Sequence, residues 1–299
     1  MKRCIRYYLE LIFAVLALSV SLCSYACKPI ITPTFANISK DILIRDLLVL
    51  SLSKVIEAEN ICVKPYIENL SDARKSKHVM QGLIDVTWAS ASAVEEDNLQ
   101  AIRIPIFRGL QGLRIFIIRE NEQTLFDAIT TLDHLRQYQA GQGTFWGDTK
   151  VLKGANIPVI TTPISENLLS MLAKKRFDYF PLAIHEPWVA LSAHPELPLV
   201  VENSIILSYP SAFYFYVSKD NQTLASNILN GMKIAIADGS YDQLLFSSDL
   251  LKEAFLRGNL TQRKVFSVQN SNFHHKIPKE NRVYWLSADE LITMMSKNR

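Results

Sequence analysis

The side chains able to do chemistry in this chain are dispersed polar groups rather than a compact catalytic set. Ser90 and Ser92 follow a short apolar run, Ile84 to Ala89. Two hydroxyls there can donate and accept at the mouth of a cleft. Ala140-Gly141-Gln142-Gly143-Thr144 reads as a glycine turn ahead of a helix. Free N–H groups and the positive dipole end at such a point suit a carboxylate or another anion. The Trp146 ring can stack on a planar group, and Asp148 can cap the helix. Glu186 is flanked by His185 and Trp188, and Arg114 stands in an apolar run, Leu113 to Arg119. Each has a plainer alternative: an ordinary turn for the serines, core packing for Trp146, an N-terminal helix acid for Glu186. For Arg108 the plain reading, a solvated surface side chain, is the expectation.

Enzymatic signatures are absent. The chain has no G-x-S-x-G elbow, no H-E-x-x-H and no P-loop. His274 and His275 are adjacent, which does not match metal spacing on one face of a helix or strand, and His185 and His194 are isolated. The four cysteines lack C-x-x-C spacing, so they do not make a zinc site. The expectation is no enzymatic activity, no cofactor, no metal and no catalytic residue. A formal net charge of +3 is too small to argue for nucleic acid.

The elements that must position these groups begin after a leader. Lys2, Arg3 and Arg6 precede an uncharged stretch, Leu11 to Leu22, followed by Ser24-Tyr25-Ala26. That is the layout of a secretory signal peptide over residues 1–26. The apolar run is short for a membrane span of about 20 residues. Cleavage takes three bases and one acid away, leaving 29 Lys/Arg against 28 Asp/Glu, a net +1. Cys27 and Cys62 remain. They can pair in an oxidising compartment, stay free, or leave Cys27 at the cut as a lipid-bearing cysteine. Ser24 stands where a lipobox normally has Leu, which weakens the last.

Strand and helix patterns alternate through the mature chain. Strands are expected at Ile30–Phe35, Ile61–Ile67, Ile84–Ala89, Ile102–Ile106, Leu113–Arg119, Val159–Thr162, Phe177–Phe180, Ile205–Leu207, Phe213–Val217 and Val265–Val268. Helices are expected at 41–56 (with Asn37 or Ser39 as cap), 71–83, 124–138, after the glycine turn to Lys153, 166–174, 185–194, 224–238 and 242–256. The alternation argues α/β architecture with mostly parallel sheets. With 299 residues the chain has room for about two domains. No Pro/Gly/Ser linker joins them.

Two segments carry a family resemblance. Ile84 to Arg119 (IDVTWASASAVEEDNLQAIRIPIFRGLQGLRIFIIR) and Phe215 to Asp242, ending Asp238-Gly239-Ser240-Tyr241-Asp242, resemble type II periplasmic solute-binding proteins. This is the family that includes the amino-acid receptors of ABC transporters. Ala140–Asp148 and Lys175–Trp188 look like a less studied branch of transporter substrate-binding-like proteins. The resemblance implies two lobes joined by two crossing strands, lobe 1 from 28–114 plus 214–299 and lobe 2 from 115–213. A ligand between the lobes would be contacted by Ser90, Ser92, Gly143, Thr144 and Glu186, with walls from Trp88 and Trp146 and with Arg114 on the crossing strand. Closure by hinge motion would bury it.

The sequence also departs from that pattern. Amino-acid receptors hold the ligand carboxylate with an Arg a few residues after the Ser/Thr loop, and here Glu95-Glu96-Asp97 stand there. An acid cannot form the bidentate fork Arg makes to a carboxylate. Leu182 stands where the related branch tends to carry Arg. A standard α-amino-acid site is therefore in doubt, and the ligand is expected to be cationic or neutral, or binding lost. The resemblance implies a periplasmic monomer that captures a small polar molecule for an inner-membrane permease. The alternative is a stand-alone sensor or degenerate binding module acting through a membrane partner.

Overall fold

The structure is a computed structural model describing residues 27, 29–34, 39–57, 61–91, 93–270 and 281–297. The leader, Phe35, Asn37, Ser92 and His274–His275 lie outside the described residues. Among the described residues, no helix is long and apolar enough to cross a membrane.

The chain opens on Pro29–Thr32 (β1). Helix Ser39–Ser53 (α1) turns Leu43, Ile44, Leu47, Leu48 and Leu52 into the largest core. Cys62–Pro65 (β2) then lies parallel to β1. Cys27 and Cys62 are joined by a disulfide beside this pair. Asp72–Met80 (α2), Val86–Ser90 (β3), Ala93–Asn98 (α3) and Gln100–Ile102 (β4) follow.

A first crossing leads from β4 into Leu113–Arg119 (β5), whose residues are buried up to Ile118. Next come Gln123–Asp127 (α4) and Leu132–Leu135 (α5). The single helix expected over 124–138 is thus two short ones. Thr131 is extended, and its side-chain oxygen accepts the His134 N–H at 3.1 Å, starting a new helix inside the periodic pattern.

Ala140–Gly143 (β6), Gly147–Gly154 (α6), Val159–Thr162 (β7), Leu168–Ala173 (α7), Phe180–Ala183 (β8), Pro187–Ser192 (α8), Leu199–Val201 (β9) and Ile205–Ser208 (β10) complete this part. A second crossing brings the chain back to Phe213–Val217 (β11). Gln222–Ala237 (α9), Ser240–Phe246 (α10), Asp249–Arg257 (α11), Lys264–Ser267 (β12) and Ala288–Lys297 (α12) end it. Helix α9 packs along α1. A Cβ at Gly231 would sit 1.8 Å from the Ser51 carbonyl oxygen, so only glycine allows that approach.

The sheets are small and mixed, which corrects the expectation of mostly parallel ones. One has the order β3-β11-β4, and another runs β12-β10-β5-β8 with β9 also on β5. β1–β2, β6–β7 and β10–β12 are parallel. β5 is antiparallel to β8, β9 and β10, and β11 is antiparallel to β3 and β4. The reason is topological. β5 and β11 are the strands the chain enters from the two crossings, each within a single sheet, and each runs against the strands it pairs with. The crossings are tied together: Tyr209 N–H donates to Gly112 O at 3.0 Å and Ile106 N–H to Phe213 O at 2.9 Å.

Arg108 is a second correction. It is 3% exposed, not a solvated surface residue. Its guanidinium donates to Asp242, to Tyr284 O at 3.1 Å and to Val283 O at 2.8 Å. It anchors the C-terminal segment to the first crossing, a role set by contacts more than 130 positions away.

Candidate functional site

Arg114 is the only base within the buried part of β5, and its surroundings define the site. A lone charge in a buried strand needs partners. Arg114 is 3% exposed, and its Nη2 donates to Asp148 Oδ1 at 2.9 Å. Tyr209 Oη donates to the same oxygen at 2.8 Å, and the guanidinium lies over the Tyr209 ring, 5.3 Å from its centroid. Asp148 sits in the first turn of α6, where the helix dipole favours an acid.

Glu186 is the residue before α8. Its Oε2 accepts the Ala183 N–H at 2.9 Å and lies 3.9 Å from Arg114 Nη1. Its Oε1 is 3.5 Å from Lys40 Nζ and 3.8 Å from His185 Nε2. Lys40, in the first turn of α1, also places its ammonium 4.9 Å from the centre of the Phe213 ring. Phe213 is paired across the sheet with Ser90.

The charges of this cluster follow from those contacts. Burial works against the Glu186 carboxylate, but Lys40, His185, Arg114 and the Ala183 N–H outweigh it and hold its pKa down at about 2. Burial pushes His185 down to about 4, so it is neutral at pH 7. Burial also opposes the Arg114 charge, yet Asp148 with Tyr209 and Glu186 keeps its pKa above the ordinary value. Burial drives the Tyr209 hydroxyl well above 10.

The residues singled out from sequence fall around this cluster unevenly. Arg114 and Glu186 are in it. Trp88 is 6% exposed, packs in the largest core and donates its indole N–H to Asp41 at 3.2 Å, one residue from Lys40. Ser90 is exposed at the end of β3, and Ser92 lies outside the described residues.

Gly143 and Trp146 are one packing unit. A Cβ at Gly143 would lie 2.7 Å from the Trp146 ring, which stacks on Phe180 with centroids 6.1 Å apart. Thr144 is exposed, and its N–H is used by Thr162 O at 2.9 Å.

The glycine turn expected at 140–144 is therefore a strand, fully buried from Ala140 to Gly143. Its glycines are there because Phe177 and Trp146 fill the space a side chain would take. The helix starts only at Gly147, and Thr149 Oγ1 donates to Gly143 O at 2.7 Å.

Sequence reasoning missed Lys40 and Tyr209 and gave Asp148 only a capping role. One signal for Lys40 existed: a cation in the first turn of a helix opposes the dipole and calls for another reason to be there. The carboxylates of Glu95 and Glu96 turn out to serve structure. Glu95 accepts from Ser76 Oγ at 2.7 Å, Glu96 pairs with Arg103, and the Asp97 carbonyl receives Lys219. A cavity of about 490 Å³ lies behind the crossings, between Gly112, Tyr209 and Arg282–Leu291. Of the cluster it borders only Tyr209. Among the described residues no group of His, Cys, Asp and Glu could hold a metal.

No protein-family model matches the chain, and no curated protein does. Solved structures do. The probable amino-acid ABC transporter extracellular-binding protein ytmK from Bacillus subtilis aligns with a TM-score of 0.55 and 14% identity, over 75% of this chain and 98% of that one. An ancestral arginine-binding protein bound to glutamine aligns at 0.51 and 14% identity, over 74% of this chain and 96% of that one. The likeness is one of architecture: the chain has the α/β fold of type II periplasmic binding proteins.

Proposed function

We propose that the protein is an extracytoplasmic solute-binding protein that captures a small polar ligand between two lobes, 28–114 plus 214–299 and 115–213, for an ABC-type transporter. The shared fold supports this reading. The observation that carries it is the polar cluster itself. Arg114 lies on a crossing strand, with Lys40 from one proposed lobe and Asp148, Glu186 and Phe213 from the other around it. A ligand touching both lobes would favour the closed arrangement, because only there does it meet every group. Trp88, Ser90, Ser92, Gly143, Thr144 and Trp146 would form the wider surround. The leader over 1–26 would direct export to the periplasm.

The test is a thermal-shift screen of the exported protein against amino acids, polyamines, sugars and small organic acids. A true ligand at about 100 times its Kd should add about 2.7 kcal/mol. No shift with any class would overturn the receptor reading in favour of a module that has lost binding.

A further inference from the structure

Within the cluster, the Glu186 carboxylate and Asp148 Oδ1 are used, and buried donors are left over. Both Glu186 oxygens have partners: the Ala183 N–H at 2.9 Å and the Lys40 ammonium at 3.5 Å. Asp148 Oδ1 takes both Arg114 and Tyr209.

The donors are different. Arg114 Nε is buried with no hydrogen-bond partner, and its Nη1 comes no nearer to Glu186 than 3.9 Å, outside hydrogen-bond reach. Neutral His185 has one N–H donor and one acceptor nitrogen, and both are unpartnered. The two residues are 3% and 2% exposed, so water at large cannot serve them. A guanidinium has only donors to offer. A buried donor left unmade is costly. An occupant that completes the Arg114 guanidinium and the His185 N–H must therefore bring acceptors.

It need not bring an ammonium. The carboxylate that would receive one, Glu186, faces the protein's own ammonium on Lys40, held over the Phe213 ring. A ligand amine would have to displace Lys40 and then sit beside Arg114. Like charges so placed repel.

We infer that the cleft selects small organic carboxylates lacking an amino group, with Arg114 and His185 completing the carboxylate contacts and Lys40 standing where a ligand ammonium would otherwise stand. Lys40 is then the specificity-determining residue. This reverses the expectation of a cationic or neutral ligand drawn from the acids at 95–97, of which Glu95 and Glu96 contact Ser76 and Arg103 instead. The inference rests on the reading of the cluster as the ligand site.

Its test uses matched pairs of one carbon skeleton with and without the α-amino group: glutarate and glutamate, succinate and aspartate, 3-phenylpropionate and phenylalanine, 4-methylpentanoate and leucine. Titration calorimetry on the wild type should find at least one amine-free member bound, at least tenfold tighter than its amino partner. Lys40→Met should reduce that preference at least tenfold or invert it, and Lys40→Arg should keep it. An amino member bound as tightly as its partner by the wild type, or a preference unmoved in Lys40→Met, overturns the inference and leaves the receptor reading standing. No member bound by the wild type or by Lys40→Met overturns both.

Discussion

Of the buried arginines with acidic partners, Arg263 and Arg114 are built differently. Arg263 and Glu202 have side chains with no exposure at all. Arg263 donates to Glu202 Oε2 at 3.1 Å, to Gly258 O at 2.6 Å and to Ile205 O at 2.9 Å, and also to Glu202 O. Glu202 accepts further from the Ser204 and Ile205 N–H groups and from Ser204 Oγ. Every charged end is saturated, and the pair fastens β12 beside β10. Burial lowers Arg263 to about 10, against the pull of Glu202, and it stays charged.

Arg114 is almost as buried, yet its Nε has no partner, and its acids are partly exposed, Asp148 at 20% and Glu186 at 28%. Saturation marks a pair that holds structure. A surplus of buried donors beside partly exposed acids marks one that can take something else.

The largest effect should come from breaking the saturated pair. Glu202→Ala leaves Arg263 buried and uncompensated, which costs about 3–5 kcal/mol. For a chain of this size that is a fall in Tm of roughly 10 °C, measured by calorimetry. An equal loss in Asp148→Asn would abolish the distinction between the two arginines.

Acid should separate the regions next. His185 faces Phe107 at 5.3 Å between ring centroids, with Glu186, Lys40 and Arg114 as its charged neighbours. Its folded pKa is about 4 against an ordinary 6.5, so the unfolded chain takes the proton first. Stability is full above pH 6.5 and falls as the pH drops toward 4, by roughly 3 kcal/mol if the shift is fully expressed. Glu186 has a folded pKa of about 2 against 4.5, so its contribution is present above 4.5 and is lost between 4.5 and 2. His185→Phe should flatten the first step and keep the second. Denaturant midpoints taken across that pH range decide it, and a first step that survives in the variant assigns it elsewhere.

A smaller loss is expected from Asp148→Asn, about 1.5 kcal/mol, because a hydrogen bond to a charged group is weakened while Tyr209 keeps a partner. Its chemical-denaturation midpoint should lie between those of the wild type and Glu202→Ala.

Which of these groups could be read from sequence follows from how local their causes are. Leu113–Arg119, Val159–Thr162 and Phe213–Val217 have the bounds their apolar runs predict. The charge inside the first of them already marked Arg114. The strand direction was not legible, because β5 and β11 owe their antiparallel pairing to the crossings and not to their own residues.

The glycines at 141 and 143 look like a turn until Phe177 and Trp146 are seen filling the space beside them. Helix α12 escaped notice in a polar tail, since Leu291 finds its apolar partners only in the distant core. The site was half legible for the same reason. Arg114 and Glu186 stand out locally, whereas Lys40 and Tyr209 matter only through partners 146 and 61 positions away.

The smallest effect on stability should come from Lys40→Met, and it bears hardest on the comparison. Lys40 and Glu186 are 25% and 28% exposed and 3.5 Å apart, so solvent screens much of their attraction. Pairs of that kind contribute under about 1 kcal/mol. Losing a cation from the first turn of α1 returns a few tenths of a kcal/mol. Methionine keeps most of the apolar stem against Phe213. The gains and losses should nearly cancel, leaving Tm within about 2 °C of wild type, and the difference should shrink further at high salt. A loss above about 2 kcal/mol, insensitive to salt, would place Lys40–Glu186 beside Glu202–Arg263 as a structural pair. The difference between the two regions would then be one of degree, and Lys40 would have no freedom left with which to select a ligand.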